Sequence, residues 1–452
     1  MSRQRHLPVV NAAVAALLAL AVWPAWAEPE LPLGRRGLSE ERSLTELAPG
    51  VTHLRVVRGG TGLGDGFVLE TAPLREQADA KEILGRLTAA GFNARLDRAA
   101  ENADLGTPIL FARADFATSV DAEARQNAFE SAAGSVALRA LSDIGEPDVD
   151  GSWIVNVLAI DLSAYPGRVD VQLAGGVVPG GATVLDIAGQ AEGVDAAVNA
   201  SFFVFRDEWG GTTGRPAGLF IEDGRLASEG IDGRPALALG DQSAGILTDV
   251  RTTIALDIAG ESLIADGVNR KPGRIVNCGN PGDVQGEASA HDFFCDDPDE
   301  IIIFDTLFGD TSDAGEGVEL VVTDGSIAEI RQQRGGPIPA EGFTVQATGA
   351  AADRLGFHYG WVLRRHPRTA AGISEDGRTL YLVTVDGRQP GVSVGATITE
   401  LGLLMRTIGA HDAVNLDGGG STTLVVGDAL ANTSSDPEPR AVSDAILLVR
   451  DE

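Results

Sequence analysis

Three consecutive glycines, preceded by an amide and a carboxylate and followed by three hydroxyls, mark the most reactive-looking point of this 452-residue chain. The stretch runs Val414-Asn415-Leu416-Asp417-Gly418-Gly419-Gly420-Ser421-Thr422-Thr423-Leu424. An apolar strand delivers Asn415 and Asp417 to a loop where Gly418, Gly419 and Gly420 leave backbone N–H groups uncovered, so a ligand oxygen can approach the main chain. Ser421 and Thr422 add hydroxyl donors, and Asp417 at the loop mouth suits proton or charge work. The bland reading is an Asp-Gly hairpin turn with extra glycines. Three other strand ends carry polar groups that a core would not choose: Asn199-Ala200-Ser201, His366-Pro367-Arg368-Thr369 and Asp386-Gly387-Arg388. Each alone reads as a turn or a surface group. Together they point to one site.

The elements that must position these groups are legible. Thr397 and Glu400 form a capping box. Ile398, Leu401, Leu404, Met405 and Ile408 then recur at helical spacing until Gly409 stops the helix. The strand carrying Asn415 follows directly, so the glycine loop hangs on a packed element. Residues 380–385 read as a strand ending at Asp386, and residues 153–162 as a buried strand opening a new unit. Upstream, strands at 67–71, 92–96, 109–113 and 136–139 alternate with helices at 76–90 and 120–133, the order of a split βαβ module. The expectation is an α+β chain: a small βαββαβ module followed by a larger mixed-sheet α/β catalytic domain. Residues 1–27 read as a signal peptide, 28–60 as a Pro-, Gly- and charge-rich linker, 61–148 as the module and 152–452 as the main domain. Residues 214–355 read as an antiparallel sheet with long loops.

Composition bounds the function. Arg3 and Arg5 precede an apolar run and the Ala25-Trp26-Ala27 cleavage pattern, which predicts export. The location expected is periplasmic or secreted, with no span in the mature chain. A formal net charge of −30 repels nucleic acid and anionic lipid. Cys278 and Cys295 stand close together in an exported chain and read as a disulfide. The acidic run at 296–300 lacks calcium-loop spacing and reads as a solvated face. No cofactor or metal site is expected.

Two resemblances sharpen this picture. Leu87, Gly91, Phe92, Ala94 and Leu96 form a phrase that resembles a SPOR (sporulation-related repeat) domain, a family that binds peptidoglycan glycan strands. The second is carried by Asn199-Ala200-Ser201-Phe202-Phe203 and Gly267-Val268-Asn269-Arg270. It continues through residues 366–372, Val385-Asp386-Gly387-Arg388, Asn415 to Thr423, and Arg440-Ala441-Val442-Ser443. From about residue 153 to 450 the chain resembles the phosphodiester glycosidase family. That family usually has Gly in place of Ser201. What the resemblance implies is hydrolysis of a sugar-1-phosphodiester, resembling N-acetylglucosamine-1-phosphodiester, to free sugar and phosphomonoester.

The residue chemistry suits that reaction. Arg368 offers a bidentate fork for the phosphate, with the glycine amides beside it. Asp417, or else Asp386, would steady the sugar carbon or activate water, and His366 is a candidate proton carrier. Asn199, Asn269 and Asn415 would hold sugar groups, with Ser201, Thr369, Arg270 and Arg388 completing the binding set. Two alternatives come from other classes: a non-catalytic envelope protein that binds a glycan or phosphopolymer, and a phosphodiesterase that cleaves the P–O bond.

Overall fold

The structure is a computed structural model. It describes residues 24–451 apart from 61–65, 75, 99–109, 145–148, 206–211, 231–234, 249, 251, 259, 277–283, 286–293, 298–299, 309–317, 324–325, 333–342, 347–360, 362 and 390. Most of the expected signal therefore lies outside the described residues. So does Cys278, one half of the expected bridge; Cys295 lies on the strand Phe294–Asp297.

Near-continuous apolar runs make strands that are covered on both faces. Gly151–Asp161 is such a strand, with nine consecutive buried residues. It sits inside a six-stranded sheet in the order Glu40–Ala48, Val51–Gly59, Gly151–Asp161, Thr379–Val385, Arg368–Ile373, Asp412–Asn415. A five-stranded sheet runs Ala429–Leu430, Leu424–Val426, Val194–Asn199, Asp444–Arg450, Gly167–Leu173. Neighbouring strands in both sheets pair antiparallel, where a mixed sheet was expected. The chain is α+β.

The two sheets pack face to face. Leu158, Leu382 and Val414 of the larger meet Val198, Ile446 and Leu448 of the smaller in one apolar layer. On its far side the larger sheet is covered by helix Ile398–Thr407 through Leu401, Leu404 and Met405. Thr397 accepts from the Glu400 amide at 3.1 Å and Glu400 accepts from the Thr397 amide at 2.9 Å, the capping box expected from the sequence. Helix Val184–Ala188 covers the smaller sheet, capped by Thr183.

The expected linker is a correction. Residues within 28–60 form the hairpin Glu40–Ala48/Val51–Gly59, which pairs with Gly151–Asp161 as part of the main sheet. Leu31, Leu33, Leu54 and Val56 are buried against Trp153. Full burial of one such side chain stabilises by about 1.5–3 kcal/mol. Arg58, buried among them, donates to Glu30, Glu40 and the carbonyls of Leu33 and Arg35. Charge that looked solvated is here paired inside.

The four-stranded module is thus inserted between the second and third strands of that sheet. Its elements follow the expected order: Phe67–Glu70, helix Gln77–Ala89, Ala94–Arg98, Leu110–Phe116, helix Ser119–Ala133, Ala137–Ala140. Leu69, Leu87, Phe92 and Phe129 make its core.

Candidate active site

Both large sheets end at the same rim. Asn199 closes one strand, fully buried, and its side chain ties the rim together. Its Oδ1 accepts from the Thr369 hydroxyl at 2.8 Å and the Thr423 amide at 3.0 Å, and its Nδ2 donates to the Asp417 carbonyl at 2.7 Å. Asn199 and Thr369 are therefore builders of the site and do not face a ligand. Replacing Asn199 with Ala would leave a buried hydroxyl, amide and carbonyl without partners. At about 1 kcal/mol or more each, a loss of about 3 kcal/mol of stability is expected in denaturant titration.

The chain crosses the rim through the glycine loop. The Asp417 amide donates to the Ala200 carbonyl at 3.0 Å, and Asp417 Oδ1 accepts from the Gly418 amide at 2.8 Å. The Gly419 amide donates to the Pro367 carbonyl at 2.9 Å. Two of the three amides expected to face a ligand are thus already engaged. The glycines serve a different end, which is to make room. A Cβ on Gly419 would stand 3.1 Å from Arg388 Nη1, and Gly419 also has φ +63°. A Cβ on Gly420 would overlap Asp436 and Arg440. One on Gly418 would stand 2.7 Å from the Pro367 carbonyl. Bare backbone lets two guanidinium groups close on the loop.

Those two are Arg388 and Arg440. Arg388 is exposed, has φ +57°, and donates from Nε to His366 Nδ1 at 3.1 Å. His366 stacks on Trp361 with ring centroids 4.8 Å apart. Partial desolvation, then repulsion from Arg440, hold the Arg388 pKa down, while Asp436, Asp143 and Asp417 pull it up. Arg440 is held by Asp436 at 2.7 Å and lies over the Phe205 ring at 5.2 Å. Two mutually repelling cations thus stand beside one loop, in a chain of net charge −30.

Asp417 adjoins both. It is half-buried, and burial pushes its carboxyl up to about 6 against the pull of Ser421, the Gly418 amide and Arg440. Asp386 is fully buried and also pushed up to about 6 by burial; its Oδ2 accepts from the Thr433 amide at 2.9 Å. Buried polar atoms without a hydrogen-bond partner include Asn415 Oδ1, Asp386 Oδ1 and Thr422 Oγ1. Native proteins rarely leave such atoms orphaned, so they mark where ligand or water completes the bonding.

Residues 284–449 match the family model described as phosphodiester glycosidase. Over that stretch the chain is similar to the phosphodiester glycosidase family. A solved protein of Burkholderia pseudomallei K96243, described as exported, is 28% identical with a TM-score of 0.80, over 93% of this chain and 98% of that one. The zebrafish N-acetylglucosamine-1-phosphodiester alpha-N-acetylglucosaminidase catalytic domain is 17% identical with a TM-score of 0.33, over 68% of this chain and 81% of that one. The SPbeta prophage-derived uncharacterized protein YomE of Bacillus subtilis (strain 168) is 40% identical over 84 residues, 19% of this chain. The chain spans 13% of that protein's length.

Three of the expected binding residues stand elsewhere or face away. Arg368 is fully buried, donating from Nε to the Ala396 carbonyl at 2.8 Å and from Nη2 to the carbonyls of Trp361 and Arg364. Burial, then Arg388, lower its pKa to about 9. It buttresses the wall and cannot offer a free fork. Asn269 accepts from the Asp305 amide at 3.0 Å, and Arg270 is paired with Glu229 and Glu300. Both hold the middle strands together. Ser201 stays at the rim, its amide donating to Asp444 at 2.8 Å.

Arg440, Asp436 and Trp361 were missed as site groups. The signals in the sequence are the phrase Arg440-Ala441-Val442-Ser443 and the acid four residues before its arginine.

Proposed function

We propose that this protein hydrolyses a sugar-1-phosphodiester, freeing the sugar and leaving a phosphomonoester. The observation that carries this reading is the convergence of Arg388 and Arg440 on the Asp417–Gly420 loop. The departing phosphomonoester has a conjugate acid of pKa about 6, so it needs charge neutralisation more than protonation. Two guanidinium groups supply that, as an anion seat. Asp417, ionised, steadies the ring carbon as positive charge grows or draws a proton from water. Asn415 Oδ1 and the hydroxyl of Thr422 are unpaired in the structure and suit sugar hydroxyls. Asp386 lies behind the site and holds the Thr433 turn.

This assignment fixes a pH dependence. If Asp417 works as the carboxylate, kcat/KM rises with pH through about 6, as the group loses its proton. A profile that falls through the same range would make it the proton donor instead. The likeness to an exported protein supports export. Among the described residues no helix is long and apolar enough to cross a membrane. The test is release of free sugar from a panel of sugar-1-phosphodiesters; no release from any member would reject the proposal.

A further inference from the structure

We infer that the inserted module is a working part of the anion seat, with Glu70 as a positioning residue that acts through Arg364. The inference rests on the anion-seat reading above. Glu70 ends the first strand of the module and is buried. It accepts from Arg113 Nε at 3.1 Å, from Arg139 Nε at 2.6 Å and from Arg364 Nη2. The first two belong to the module, while Arg364 belongs to the segment that walls the site. Arg364 also lies 5.3 Å over the ring of the module's Phe111. Arg365 repeats the connection, its amide donating to the Asp143 carbonyl and its Nη1 to the Ser142 carbonyl, both at 3.0 Å.

From that anchor a chain of contacts reaches the anion seat. The Arg364 and Trp361 carbonyls hold Arg368, Trp361 stacks on His366, and His366 accepts from Arg388. Each link is a hydrogen bond or a stacked ring contact, buried or partly buried, so loosening Arg364 frees the wall against which Arg388 is aimed. Glue between two bodies would need only that the three arginines neutralise Glu70. The arrangement does more, because one of the three is continuous with the site wall. A carboxylate 294 residues away in sequence from Arg364 thereby sets the geometry of the phosphate contact.

The test separates positioning from adhesion. Arg364→Gln and Glu70→Gln are each expected to weaken inorganic phosphate binding, read by titration calorimetry, by about tenfold. KM for a sugar-1-phosphodiester should rise by a similar factor, with kcat changed by less than about threefold. Arg139→Gln removes an equally close partner of Glu70 that does not touch the wall, and should leave both constants within about twofold. Should the Gln variants fail to fold, Arg364→Lys carries the test, with an expected shift of about threefold. Equal phosphate affinity in wild type and the Arg364 and Glu70 variants overturns the inference and leaves the anion seat standing. A wild-type protein that neither binds phosphate nor releases sugar removes the seat itself, and the inference with it.

Discussion

Asp417→Asn is expected to lower turnover of a sugar-1-phosphodiester by about 10³-fold or more, in line with the loss of a positioned acid–base or charge-stabilising group, while the protein folds at least as stably at pH 7.5. The substitution keeps the shape of the side chain and an oxygen to accept from the Gly418 amide. It removes the charge. The sign on stability follows from the raised pKa. A carboxyl that titrates near 3.8 when unfolded and about 6 when folded binds its proton more tightly in the native state. Native stability therefore falls as pH rises through that window and carries the full penalty above it. The penalty is at most about 3 kcal/mol, reduced where water reaches the carboxylate and by the attraction of Arg440. Melting curves at pH 7.5 and pH 5 check this. The variant should match or exceed wild type at the higher pH, and any advantage should shrink to about half at pH 5 and vanish only below about pH 3.8. Unchanged turnover would strike Asp417 from the mechanism, and a collapsed melting temperature would make it a structural residue.

Arg388→Gln and Arg440→Gln are each expected to lower kcat/KM by about 10²–10³-fold, the usual effect of deleting one donor to a developing anion. The two should not add, because both guanidinium groups meet the same phosphate and one loss already disorders its seat. Raising salt should weaken the remaining activity of either variant, since an exposed single cation is screened more readily than a pair flanking a loop. By contrast Arg368→Gln should reduce stability first. Its guanidinium is fully buried and holds the carbonyls of Ala396, Trp361 and Arg364. If Arg388→Gln turned over normally and Arg368→Gln bound phosphate poorly, the assignment of the two arginines would be reversed.

Local chemistry made part of this readable from the residues alone. The capping box at Thr397 and Glu400, the stripe through Leu401, Leu404 and Met405, and the apolar run at Gly151–Asp161 state their structure within a dozen residues. The hairpin Glu40–Ala48/Val51–Gly59 does not, because its exposed positions are polar or charged and its buried cation, Arg58, finds its carboxylates only after folding. The site divides in the same way. Asn199, Thr369, His366, Arg388 and Asp417 sit at strand ends, where sequence position dictates rim position. Arg368, Asn269 and Arg270 differ from them in what their side chains face, which depends on contacts with Ala396, Asp305 and Glu229. No local pattern encodes those contacts. The glycines illustrate the limit most sharply. Their spacing advertised uncovered amides, but their use here is the space they leave for Arg388 and Arg440.

In the proposed reaction the bond to the sugar carbon breaks, with the phosphate leaving as an anion between two arginines. Hydrolysis of a sugar-1-phosphodiester in water enriched in heavy oxygen, followed by mass analysis of both products, tests it most directly. Heavy oxygen in the released sugar, with an unlabelled phosphomonoester, is the predicted result. Heavy oxygen in the phosphate would mean attack at phosphorus and would contradict the account.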